Sequence, residues 1–81
     1  MIPQLQRLTR PPVAGLAPHE RDYLAYEDTA IARALQARAR ELRAAAHPGL
    51  EVVIAELDAI AYTLAARAHA YRHPEGPPYV D

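Results

Sequence analysis

The stretch Glu41-Leu42-Arg43-Ala44-Ala45-Ala46-His47-Pro48-Gly49-Leu50-Glu51-Val52-Val53-Ile54 decides the fold. It leaves one helix-forming segment, passes through His47-Pro48-Gly49 and enters another. Proline disfavours helical backbone in the residue before it, and glycine accepts the positive φ that a reversal needs. So short a connection makes the two helices antiparallel neighbours.

Toward the N-terminus the large aliphatics Leu24, Ile31, Leu35 and Leu42 recur at intervals of seven, four and seven, a helical stripe. Asp28 and Arg38 fall on the same stripe and interrupt it. Pro18 suits the first turn, and Glu20 and Asp22 complement the positive end of the helix dipole. Toward the C-terminus a denser stripe runs through Leu50, Val53, Ile54, Leu57, Ile60, Ala61, Leu64, Ala68 and Tyr71, and Pro74 and Gly76 end it. Pro3, Pro11, Pro12 and Pro18 forbid a long helix before that point, although Ile2, Leu5, Leu8, Val13 and Leu16 give the segment apolar character.

The expected architecture is all-α. It is an antiparallel two-helix hairpin over 18–73, with helices at about 18–46 and 49–73. An extended Pro-rich arm covers 1–17 and an extended tail covers 74–81. Charge agrees with antiparallel packing. Each helix begins acidic (Glu20, Asp22, Glu27 and Asp28; Glu51, Glu56 and Asp58) and ends basic (Arg38, Arg40 and Arg43; Arg67 and Arg72). Alanine dominates the 51% hydrophobic content, and Phe and Trp are absent, so a single hairpin has a thin core. Completion by homo-oligomerisation is therefore expected, with Ala30, Ala34 and Ala37 and Ala55, Ala59 and Ala66 as faces small enough for close approach.

Composition narrows the function classes. Net charge is −1, which offers no general attraction to nucleic acid or to anionic membrane. Arg33, Arg38, Arg40 and Arg43 form a basic cluster, but acids flank it and aromatics do not interleave it, so no nucleic-acid partner is expected. No apolar run approaches the roughly 20 residues that span a bilayer, and no signal pattern opens the chain. The expectation is a cytoplasmic protein with no membrane partner. All nine basic residues are arginine, whose fork suits phosphate and carboxylate. There is no cysteine to build a disulfide or a thiolate metal site.

No catalytic motif is present: there is no glycine-rich phosphate loop, no supported Ser-His-Asp grouping and no repeated carboxylate cage. The chain reads as non-enzymatic, without cofactor. Folding the hairpin about Pro48 gathers Tyr23, Tyr26, Glu27, Asp28, Arg67, His69, Tyr71, Arg72 and His73 at its open end. Asp28 and Arg67 are expected as an interhelical structural ion pair. Tyr26, His69, Arg72 and His73 are the candidate ligand-binding residues, because arginine can fork onto phosphate and tyrosine can stack or donate. His69 and His73 lie four apart and could share a metal, but no HExxH pattern accompanies them, and no metal is expected.

Over roughly residues 20–76 the chain resembles phage anti-CBASS proteins that sequester cyclic nucleotides. The features carrying the likeness are a first helix ending in Glu41-Leu42-Arg43-Ala44, a short Pro-containing turn, and a second helix closing on Arg67-Ala68-His69-Ala70 before Pro74-Glu75-Gly76. That resemblance implies a small helical hairpin in a symmetric oligomer, acting as a sponge that holds a cyclic nucleotide or other phosphorylated small molecule at subunit interfaces. It assigns no ligand residue in this chain. The alternative expectation is a protein-interaction module, an adaptor or inhibitor that docks a partner through its apolar arm and helix faces.

Overall fold

A computed structural model describes residues 15–79. The arm lies outside them apart from its last three residues, Gly15 to Ala17, as do the last two residues of the tail. Two helices form, α1 at Pro18–Ala45 and α2 at Glu51–Arg72, packed against each other as a hairpin. No described residue belongs to a strand.

Local chemistry sets the ends. Pro18 opens α1, where its missing N–H costs nothing. The Ala17 N–H donates to Glu20 Oε1 at 2.8 Å, one half of a capping box. The helix closes on Ala46, which takes left-handed backbone at φ 54° and donates its N–H back to the carbonyls of Leu42 and Arg43. Gly49 follows at φ +90°, and its N–H donates to the Glu51 side chain at 3.0 Å. The reversal therefore takes up residues 46–50, a little more than the expected break at His47 and Pro48.

Packing departs from the sequence reading on α1. The buried face of that helix is Ala25, Asp28, Ala32 and Ala39, not the aliphatic row. Leu24, Leu35 and Leu42 are half-buried, and Ile31 is 41% exposed. On α2 the buried residues are Ala61, Leu64, Arg67, Ala68 and Tyr71. Alanines recur every seven residues on both helices, at 25, 32 and 39 and again at 61 and 68. Such a heptad seam lets two backbones approach closely, and the larger side chains are displaced to the flanks of the contact. Two small clusters result. Ala25, Ala68 and Tyr71 are joined by Leu16 and Leu24, while Ala32, Ala61 and Leu64 are joined by Leu35.

The seam leaves the hairpin with two unlike edges. One carries cross-helix polar contacts: Arg72 to Thr29 near the open end, and Arg43 to Asp58 near the turn. From the first contact to the second, the chain advances two heptads on α1 and retreats two on α2, which fixes the antiparallel register. On the other edge lie Leu24, Ile31 and Arg38 of α1 with Ile60 and Val53 of α2; the Asp28–Arg67 bond sets Arg38 at the level of Leu57 and Leu35 at the level of Ile60. That second edge is mostly apolar. Beyond α2 the chain turns at Pro74 to Gly76, where the Gly76 N–H donates to the His73 carbonyl at 3.0 Å. It then lies back along α2, so the segment expected as an extended tail is folded onto the helix as far as Tyr79.

Candidate functional site: the polar edge of the open end

Asp28 and Arg67 come first, because they settle which arginine is free. Arg67 Nε donates to Asp28 Oδ2 at 2.8 Å, and Nη2 donates to Oδ1 at 3.2 Å. Asp28 is 0% exposed and Arg67 6%. This side-on, two-bond grip inside the seam makes Arg67 a structural residue. Arg67 Nη1 is also buried, and it has no hydrogen-bond partner among the described residues.

Arg72 has the opposite environment. It sits one turn further along α2, exposed, and its Nη1 donates to Thr29 Oγ1 at 3.3 Å. One long bond to a hydroxyl leaves most of the guanidinium donors facing solvent. Arg33 follows Thr29 by one helical turn on the same edge and is also exposed.

His69 and His73 lie one turn apart on α2, with ring centroids 4.8 Å apart and planes tilted by 41°. His69 Nε2 donates to the Pro77 carbonyl at 3.1 Å. A carbonyl only accepts, so that nitrogen carries a proton, and a neutral His69 has its lone pair at Nδ1. The returning tail sets Tyr79 edge-on to two rings, 5.4 Å from Tyr62 and 5.7 Å from His69. Tyr62 and His69 are seven residues apart and share a face of α2.

Of the four residues expected to bind ligand, the structure joins His69 and His73 directly. It sets Arg72 on the adjoining edge with Thr29. Tyr26 lies one turn before Thr29 on α1 and shares that edge, but it is 69% exposed and makes no hydrogen bond or ring contact among the described residues. Tyr71, counted with the open-end group, is a buried seam residue. Thr29, Tyr62 and Tyr79 were not among the expected site residues. For Tyr79 the signal was present in the Pro74-Glu75-Gly76 turn, which permits a return. Among the described residues no group of three or more His, Cys, Asp or Glu could hold a metal ion, and no helix is long and apolar enough to cross a membrane.

Between the Thr29–Arg72 and Arg43–Asp58 contacts, the polar edge carries Gln36 on α1 and the small Ala65 on α2. By helical position Arg33 of α1 and Arg72, His69 and Tyr62 of α2 flank this stretch. Such a surface combines charged forks for an anion with ring faces for a planar group. Compared with protein-family models, curated proteins and solved structures, the chain matches none.

Proposed function

We propose that the protein is a non-enzymatic binding protein that sequesters a small phosphorylated molecule, of the cyclic-nucleotide kind, on the polar edge of its open end. The observation that carries this reading is the contrast between two arginines. Arg67 is consumed by Asp28, whereas Arg72 stands exposed with one long bond to Thr29, on the same helix as His69 and His73 and their ring contacts. An exposed guanidinium with aromatic rings nearby is a general means of gripping a phosphate and a base together. The sequence resemblance over roughly residues 20–76 points to the same ligand class.

A thermal-shift panel tests the proposal. The unmodified protein is heated with cyclic mononucleotides and dinucleotides, with linear nucleotides, and with the matching nucleosides that lack phosphate. A ligand at a hundred times its Kd stabilises by about 2.7 kcal/mol. The expected result is a shift with at least one phosphorylated compound, none with its nucleoside, and loss of the shift in Arg72→Ala. A flat panel overturns the reading, and so does a shift that Arg72→Ala leaves intact.

A further inference from the structure

We propose that a second copy of this chain covers the apolar edge, with a two-fold axis running along the hairpin, so that α1 of each copy lies against α2 of the other. The edge lies on the opposite side of the seam from Arg72. In one chain Ile31 of α1 and Ile60 and Val53 of α2 remain 41%, 40% and 43% exposed along this edge. Meanwhile the buried apolar residues are five alanines with Leu64 and Tyr71. A hairpin whose buried large apolar side chains, among the described residues, are Leu64 and Tyr71 has put its β-branched aliphatics where another surface can use them. A second copy presents the same exposed aliphatics to be covered in turn. It also brings a matching row of the same length.

Charge selects the arrangement. Glu41 flanks the row on α1, Glu56 flanks it on α2, and Arg38 lies within it at the level of Leu57. An axis along the hairpin preserves the level of every residue. Arg38 of one copy then faces Glu56 of the other, twice per dimer, because Glu56 stands one residue from the level of Arg38. An axis across the hairpin stacks α1 on α1 in reverse. There the levels depend on where the axis crosses, and Arg38 and Glu56, being on different helices, no longer meet. Arg38 is available to turn, because its bond to Glu41 spans 3.6 Å between side chains 60% and 66% exposed. The product is an antiparallel four-helix bundle whose neighbouring helices all run in opposite directions. The interface differs from the one expected on Ala30, Ala34, Ala37, Ala55, Ala59 and Ala66, of which Ala37 and Ala66 are half-buried and the other four lie exposed.

Sedimentation velocity of the full chain at micromolar concentration, with circular dichroism to verify helix content, tests the arrangement. The expected mass is twice 8.9 kDa. Arg38→Glu and Glu56→Arg are each expected to weaken the dimer at least tenfold in Kd, and the two together to restore it. Arg33→Glu, on the other edge, leaves it unchanged. Ile60→Glu is expected to give monomer, and the charge reversals keep the test decisive should that variant fail to fold. A helical monomer of 8.9 kDa overturns the proposal. So does an assembly that the single charge reversals leave intact, or a double reversal that restores nothing.

Discussion

Asp28 and Arg67 meet inside the alanine seam as a side-on pair, Nε 2.8 Å from Oδ2 and Nη2 3.2 Å from Oδ1, 39 residues apart in sequence. The pair occupies a level where every neighbouring seam position is small or apolar. It can form there because Ala25, Ala32 and Ala68 leave room for a guanidinium between the helices.

Removing one partner strands the other in the seam. Asp28→Ala is expected to cost about 3–5 kcal/mol, the range for breaking a buried pair on one side. The double variant Asp28→Leu with Arg67→Met should recover most of that loss, since an apolar pair of similar volume carries no desolvation cost. Chemical denaturation of the single and double variants checks this. Equal stability of Asp28→Ala and the unmodified chain would mean the pair is not sealed from water.

The seam should tolerate less added volume than the flanks. Ala32→Leu or Ala61→Leu forces the helices apart and is expected to cost about 1–3 kcal/mol by overpacking. Ala30→Leu, on an exposed surface, should change stability by less than about 0.5 kcal/mol. Thermal melts of the three variants rank them. A stabilising Ala32→Leu would place the contact face on the aliphatic row instead.

Arg43 and Asp58 also bridge the helices, near the turn, but their side chains are 54% and 41% exposed. Solvent and salt screen a pair so placed. Asp58→Asn is expected to cost at most about 1 kcal/mol, with most of that effect gone in high salt. Melting in low and high salt makes the comparison.

The returning tail predicts a spectroscopic change with little energetic one. Tyr79→Ala removes ring contacts with Tyr62 and His69, each worth about 0.5–1.5 kcal/mol when fully formed and less at a surface. The His69 imidazole resonances should lose the ring-current shift contributed by Tyr79, while those of His47, far away at the turn, stay in place. Proton NMR of the histidines reads both at once. His69 signals that do not move would show that the tail leaves α2 in solution.

The hairpin was legible in the sequence because the terms that make it are local. Pro48-Gly49 ends one helical pattern and Pro74 with Gly76 ends the next, whatever packs against them. The Asp28–Arg67 pairing was legible too, since a short turn fixes the register and a charge interrupting an apolar stripe asks for an opposite charge at the same level. The seam itself was not. Ala25, Ala32 and Ala39 lie one position from Leu24, Ile31 and Arg38, so both rows obey helical periodicity, and hydropathy favours the row with larger side chains. Only two backbones closing on each other choose the smaller row, because close packing rewards low volume at the contact. That choice then decides which edge is polar, where Ile31 and Ile60 emerge, and that Arg72 instead of Arg67 faces solvent. Sequence alone determined two antiparallel helices and their register. Tertiary packing decided which faces they spend on each other, because that depends on volumes meeting across the contact and not on the period within either helix.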